Sequence, residues 1–417
     1  MKSKKIKRII LDYASITPLD KKVAKEMLKV QNKFWANPSS LHKEGEEAKN
    51  VLGKARKDIA HILQCCSSEI IFTSGGTESC NLAILGILQA ENQRQSFKKS
   101  KSDFELPRSQ KSDLDFLSHI IVSSIEHPAI LEPIKFLLKN KKIEVSFIVP
   151  DEEGLINPES IRKELKENTV LVAIQHANNE IGTIQPIQKI AKVIKEFRKG
   201  TKMTIVPYPY FLVDASQSFL YENVSLERLQ ADLLVLDGIK MYGPRSAGAL
   251  AVRHGVKIFP VIFGGGQEMG LRSGTENVAS AVGLVKSMEM AIKLREKESA
   301  RLVALRNYTI TRILKEIPNA SLNGSLENRL PNNINICLQG EPLQDSEFLV
   351  IKLDTLGFAV SAASACHTLS LENSSYVIES LGKKNCGTSS LRFTLGRTTS
   401  KSDLNKLVVA LKKIIKN

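Results

Sequence analysis

Long apolar runs are missing from this chain: none approaches the roughly 18–20 residues that a membrane helix needs. The opening MKSKKIKRII runs into LDYASITP without an extended apolar core or a small-residue cleavage site, so no secretory signal is expected. Cysteine is sparse, at six (Cys65, Cys66, Cys80, Cys337, Cys366 and Cys386), and no C-x-x-C pair occurs. Neither a zinc site nor a redox pair is signalled, and reduced thiols in a cytoplasmic protein are expected. Aromatics make up only 6%, too few to interleave with basic residues as a stacking surface for nucleic acid. No G-x-G-x-x-G follows an early strand, so a dinucleotide site is not signalled either.

What is present in excess is positive charge, +15 from 59 Lys and Arg against 44 Asp and Glu. The lysines are scattered, which reads as generic basic character rather than a nucleic-acid footprint. With 417 residues, 42% of them apolar, the chain can bury one large core and a smaller one.

Short apolar runs alternate with helical patterns through the first two thirds. The strand candidates are EIIF (69–72), HIIVSS (119–124), EVSFIV (144–149), TVLVAIQ (169–175), YFLVD (210–214), LLVL (233–236) and GALAV (248–252). This alternation predicts an α/β fold, a mostly parallel seven-stranded sheet covered by helices on both faces. From Glu276 the pattern changes to one or two long helices, then short strands (NNINICL, FAVSAA, SLRFTLG) and the closing helix SDLNKLVVALKKII. The division expected is a large domain over 15–290 and a smaller α+β domain over 1–14 with 291–417. Two polar or proline-bearing segments, 92–118 and 200–210, interrupt the alternation and read as exposed loop insertions.

In such sheets ligands sit beyond the carboxyl ends of the strands. After EIIF, TSGGTES opens a helix, and Gly76, Thr77 and free helix N–H groups suit a phosphate, although the same turn is common without a ligand. After HIIVSS stands His127, able to face a ring or simply to serve the turn before Pro128. After TVLVAIQ, Asn179 is a hydrogen-bond donor to a ligand oxygen or an ordinary turn residue. Asp214 ends YFLVD, where an acid needs a cation such as a protonated ring nitrogen. LLVL leads to Asp237-Gly238-Ile239-Lys240, and a buried lysine amine forms an imine with an aldehyde. A phosphate cradle, a stacking imidazole, a carboxylate and an imine-forming lysine are together what pyridoxal 5′-phosphate requires.

The motifs LDYASITP, NPSSLHKEG, FTSGGTESCNLAI, EHPAILEP, NNEIG, VDASQ, KMYGP, GGGQEMGLRSGTEN, SAASAC and SLRFTLGR occur in this order over nearly the whole chain. In them the sequence resembles the NifS- and IscS-like cysteine desulfurases of the aminotransferase class V superfamily. The resemblance implies a pyridoxal-phosphate-dependent transferase of fold type I, a homodimer with its active sites at the subunit interface. It implies that Lys240 carries the cofactor, that His127 stacks on the ring and moves protons, and that Asp214 pairs with the ring nitrogen. Gln217 and Asn179 would lie near the phenolic oxygen, with Gly76, Thr77 and the Asp237-Gly238-Ile239 turn at the phosphate. Thr275 would reach it from the partner subunit, and Arg392, with Asn179, would bind the carboxylate of L-cysteine. Cys366, read alone as readily structural, would take the sulfur as a persulfide and release L-alanine. A sulfur-acceptor protein, either an iron–sulfur scaffold or a tRNA-thiolation enzyme, would follow. No resident metal is implied, an iron–sulfur cluster meeting Cys366 only in transit. The other five cysteines read as packing residues.

The sequence departs from the family in two places. Ser-Gly-His commonly precedes the lysine, whereas Asp237 and Ile239 flank Gly238 here. A carboxylate beside a phosphate dianion is repelled by ~1 kcal/mol when well solvated and by more when dry. The expectation is that the Asp237 side chain turns away, leaving backbone N–H groups to the phosphate, and that cofactor retention is weak. In the nucleophile loop, Ala363 and Asn373 replace a glycine and a proline, and His367 stands beside Cys366, where it lowers the thiol pKa if its ring reaches the sulfur. The alternatives are another class V enzyme such as a selenocysteine lyase, a paralogue with reduced turnover acting as a sulfur carrier, and a basic nucleic-acid binder.

Overall fold

Every apolar run read as a strand forms one in the computed structural model, which describes residues 8–102, 117–200, 208–339, 345–362 and 374–416. Cys366, with Ala363, His367 and Asn373, lies outside the described residues. A short strand, β1 (Ile9–Ile10), precedes helices α1 (Lys21–Lys33) and α2 (Lys43–Leu63). Seven strands follow: β2 (Ile70–Thr73), β3 (Ser118–Ser123), β4 (Ile143–Ile148), β5 (Thr169–Gln175), β6 (Tyr210–Asp214), β7 (Leu233–Asp237) and β8 (Gly248–Val252). Between them run α3 (Gly76–Ser102), α4 (Pro128–Lys139), α5 (Pro158–Glu164), α6 (Ile187–Gly200) and α7 (Leu226–Leu229). The long α8 (Val278–Glu316) leads to β9 (Ala320–Leu322), β10 (Asn333–Leu338), α9 (Ser346–Thr355), β11 (Phe358–Ala359), β12 (Ser361–Ala362), α10 (Tyr376–Ser380), β13 (Ser390–Thr394) and α11 (Lys401–Lys416).

The large sheet has the order β2-β8-β7-β6-β5-β3-β4. It is parallel except for β8, which pairs antiparallel with both β2 and β7. Because successive side chains point to opposite faces, each strand feeds two cores. Phe211, Val213, Leu234 and Leu236 pack on one face with the inner sides of α2 and α6 and the start of α8. Tyr210, Leu212, Leu233 and Val235 pack on the other with α3 and α4. Burial on both faces is why these strands read as continuous apolar runs.

A third cluster joins the later half of α8 to α9, α11 and the four-stranded antiparallel sheet β12-β13-β10-β9. At 39 residues α8 spans about 58 Å, and it contributes to both the first and the third cluster. Among the described residues no helix is long and apolar enough to cross a membrane.

Three expectations fail. Residues 92–102 continue α3 instead of looping out, since Glu91 bonds Arg94 and Gln95 along one helix face; residues 103–116 lie outside the described residues. In the second insertion, Tyr208 and Tyr210 are buried and meet edge to face with ring centroids 4.9 Å apart; residues 201–207 are likewise outside. The cysteines are also not uniformly reduced packing residues. Cys337 and Cys386 form a disulfide across 49 residues, because the end of β10 and the turn after α10 bury the two sulfurs together, a proximity that no local spacing signals. Cys66 is exposed and Cys65 partly so, leaving Cys80 as the fully buried thiol.

Gly248 opens β8 against the turn that follows β2. A Cβ there would lie 2.6 Å from the Gly75 Cα, backbone against backbone, with no flexible side chain to yield. Gly248→Ala is expected to cost roughly 1–3 kcal/mol in urea unfolding. An unchanged midpoint would mean that the turn can retreat.

Candidate active site

The parallel strands all end on one edge of the large sheet, and the residues beyond them enclose a cavity of about 220 Å³. Gly76 and Thr77 reach it from the turn after β2, His127 from the start of α4, and Asn179 from the turn after β5. Asp214 and Gln217 come from the end of β6, and Asp237, Ile239 and Lys240 from the end of β7. Nine residues singled out in the sequence thus meet in one place. Gly238 is buried in the wall behind them: a Cβ there would meet the Ala247 carbonyl oxygen at 2.7 Å.

A single 3₁₀ turn, Gly238–Lys240, carries the lysine off β7. Lys240 Nζ donates to the carbonyl oxygens of Ala14 at 3.0 Å and Ser15 at 2.7 Å. Gln217 Nε2 donates to the same Ala14 oxygen at 3.0 Å, and Thr17 holds the Ile239 carbonyl through both its N–H and its hydroxyl. The LDYAS segment therefore forms a wall of the site, a role that its motif alone did not assign. His127 caps α4, its Nδ1 accepting from the Ala129 N–H at 3.1 Å. Asp214 Oδ1 accepts from the Ser216 N–H at 2.9 Å.

Asp237 does not turn away as expected. Its Oδ1 accepts from the Ile239 N–H at 3.2 Å, and its carboxylate lies against Gly76 at the start of α3, whose N–H draws its pKa down. An aspartate ending a strand beside a helix start satisfies those N–H groups as an N-cap does, and this local gain fixes its direction. Burial raises its pKa, against the pull of Lys240 and these two N–H groups, while Asp214 adds to the rise.

Two predicted residues stand apart. Thr275 lines a separate cavity with Ser74, Gly248, Glu268 and Arg272. Arg392, on β13, is 1% exposed and does not line the main cavity. Its guanidinium donates to the Asn179 carbonyl at 3.0 Å, to Asp12 Oδ1 at 3.0 Å and to Ser15 Oγ at 2.7 Å, and its Nε is left without a partner.

Residue reasoning missed two buried acids. Glu126, beside His127, accepts from the Gln175 N–H at 2.9 Å, and its other oxygen is buried without a partner. Burial pushes its pKa well above the usual carboxylate value, against the pull of the Gln175 N–H, and the charge of Asp214 adds to the rise. Glu180, beside Asn179, accepts from the Ser375 hydroxyl at 2.6 Å, which ties the NNEIG turn to the start of α10. An acid inside an otherwise apolar or amide-rich strand-end motif was the available signal for both. Ser216 was also passed over; its buried hydroxyl lacks a partner and lies beside Gly76.

The family model for aminotransferase class-V matches residues 9–103 and 106–407. A protein of Dictyoglomus turgidum named cysteine desulfurase IscS is 40% identical over 98% of this chain and 95% of its own length. A second, cysteine desulfurase IscS 1 of Archaeoglobus fulgidus, is 38% identical over 97% and 96%. The solved structure of a NifS-like protein superposes with a TM-score of 0.84 at 29% identity, covering 98% of this chain and 99% of that one. The chain belongs to the aminotransferase class V family.

Burial pushes the Glu180 carboxyl up to about 7 from 4.5, while the Ser375 hydroxyl and the charge of Arg392 pull it down. The folded state thus holds this proton more tightly than the unfolded chain. The associated stability is complete below about pH 4.5 and is lost as the pH rises through about 7. At ~1.4 kcal/mol per unit the loss is on the order of 3 kcal/mol. Glu180→Gln keeps an acceptor for Ser375 but does not titrate. Relative to the native chain it is expected to gain on the order of 2–3 kcal/mol between about pH 5 and pH 8 in urea unfolding, and a pH-independent difference would contradict the assignment.

Proposed function

We propose that this chain is a pyridoxal-phosphate-dependent cysteine desulfurase that converts L-cysteine to L-alanine and leaves a persulfide on Cys366. The observation that carries the reading is one cavity in which an amine, a carboxylate, an imidazole and a helix N-terminus stand at the ends of four strands of one sheet. Family membership and near-full-length relatives named for this activity support it. Selenocysteine lyase and a sulfur carrier without turnover have no observation in their favour.

The residues fit the cofactor. Lys240 is the amine for its aldehyde and Asp214 the anion for its ring nitrogen, with His127, Gln217 and Asn179 around the ring. The Gly76 and Thr77 turn and the unpartnered Ser216 hydroxyl would hold the phosphate. Ile239 adds no donor, and Gly238 lets the turn pack against Ala247. When bound, the cofactor supplies an electron sink for negative charge at the substrate α-carbon.

The chain's own part is positional. The carbonyls of Ala14 and Ser15 hold the Lys240 side chain at the cavity wall, where its neutral amine would take a proton from the substrate α-carbon and the resulting ammonium return one. Arg392, held by Asp12 and Ser15, faces Asn179, and we assign these two to the substrate carboxylate. The Cys366 thiolate attacks the substrate sulfur: an S–S bond forms, the C–S bond breaks, and the carbon left behind takes a proton to become the alanine methyl. Cys366 keeps the persulfide for an acceptor protein, an iron–sulfur scaffold or a tRNA-thiolation enzyme. We assign Thr275 to the partner subunit's site in a cytoplasmic homodimer. We further take 15–290 as the cofactor domain and 1–14 with 291–417 as the smaller one.

Incubation with L-cysteine is expected to release alanine and leave one extra sulfur on the Cys366 peptide in mass spectrometry. Cys366→Ser should abolish the persulfide while retaining cofactor absorbance, and Lys240→Ala should abolish both alanine and that absorbance. Alanine release by Lys240→Ala at the native rate would overturn the proposal.

A further inference from the structure

The start of α3 already holds an anion. Asp237 is 8% exposed; its carboxylate accepts from the Ile239 N–H and lies against Gly76 at the helix start. A Cβ placed on Gly76 would lie 3.3 Å from Asp237 Oδ2 and 3.2 Å from Ser216 Oγ, and one on Gly75 would lie 3.6 Å from Asp237 Oδ1. The side chain therefore occupies the space over the glycine turn, where the N–H groups of a helix start recruit a phosphate. The charges facing it leave little to compensate a second anion. Lys240 comes from its own turn, Asp214 from β6 and His127 from the start of α4, while the buried Cys80 thiol lies inside α3. Two carboxylates and one ammonium thus line the cavity among the described residues before any phosphate arrives.

From this arrangement we infer that Asp237 is an internal competitor for the cofactor's phosphate, and that a phosphorylated ligand enters only as Asp237 takes up a proton. The inference rests on the cofactor reading above and deepens it. Residue 237 sets how much the phosphate adds to affinity, and it makes that contribution decline as pH rises. A dianion next to a carboxylate favours the protonated carboxyl, and the proton is drawn from solvent on binding. Once neutral, Asp237 can donate to a phosphate oxygen where it would otherwise repel it.

Titration calorimetry of the full chain freed of cofactor separates the terms. The probes are 4-deoxypyridoxine 5′-phosphate and 4-deoxypyridoxine, which lack the aldehyde and leave the Lys240 chemistry aside. For the native chain the phosphorylated probe should weaken about thirtyfold between about pH 7 and pH 8.5, with close to one proton taken up across buffers of different ionisation enthalpy. Asp237→Asn preserves the acceptor for Ile239 and should tighten that probe by about tenfold or more near pH 8, with proton uptake abolished. The unphosphorylated probe should change less than about threefold. Asp237→Ser provides a second variant if the first folds poorly.

Equal effects on both probes, or unchanged proton uptake in the variants, would overturn the inference and leave the cofactor reading intact. Failure of the native chain and both variants to bind either probe would overturn that reading, and the inference with it.

Discussion

The opening turn of the chain, residues 12–17, is the clasp on which the site depends. Ala14 and Ser15 present their carbonyl oxygens to the Lys240 ammonium, and Asp12 and Ser15 hold the Arg392 guanidinium. Thr17 fixes the Ile239 carbonyl, and the Thr394 hydroxyl accepts from the Ala14 N–H. One short segment therefore ties the end of β7 to β13. It does so with charge-assisted hydrogen bonds in a half-buried setting, where such bonds are strong and their loss is costly.

The architecture was legible because both faces of the large sheet are buried. Fully covered strands must be apolar along their whole length, and β6, β7 and β8 announced themselves in that way, while the edge strand β4, partly exposed, also carries Glu144 and Ser146. The strand-end residues were legible for a related reason. His127, Asn179, Asp214 and Lys240 are polar groups placed directly after such runs, where only a ligand or a specific partner repays their burial. Long-range pairings were harder to see. That Arg392 is locked by Asp12, or that Cys337 meets Cys386, depends on how distant segments dock, and neither leaves a local pattern. Asp237 was legible as an anomaly but not in its direction. Its nearest unsatisfied donors, the N–H groups of Gly76 and Ile239, outweigh any tendency to face solvent. Residues 92–102 were misjudged because polarity alone resembles a loop, while their spacing lets Glu91 reach Arg94 and Gln95 along a helix.

The electrostatics of the cavity divide into three zones. Around the ring position, carboxylate and amine balance. Behind the strand ends, Glu126 and Glu180 sit in desolvated pockets that favour their protonated forms, so their carboxyls act as hydrogen-bonding struts. Glu180 joins the NNEIG turn to the first residue of α10 through Ser375. In the third, over the glycine turn, this chain places the Asp237 carboxyl beside Gly76. The fold tolerates this carboxyl because a helix start stabilises any anion, whether it comes from a ligand or from the chain itself.

The central claim is that the Lys240 amine, released from the Ala14 and Ser15 carbonyls, is the group that receives the cofactor's aldehyde. A crystal structure of the protein grown with pyridoxal 5′-phosphate tests it most directly. The account predicts electron density continuous from Lys240 Nζ into a ring whose nitrogen faces Asp214. Density joined to another lysine, or a Lys240 still bonded to both carbonyls beside an empty cavity, would contradict it.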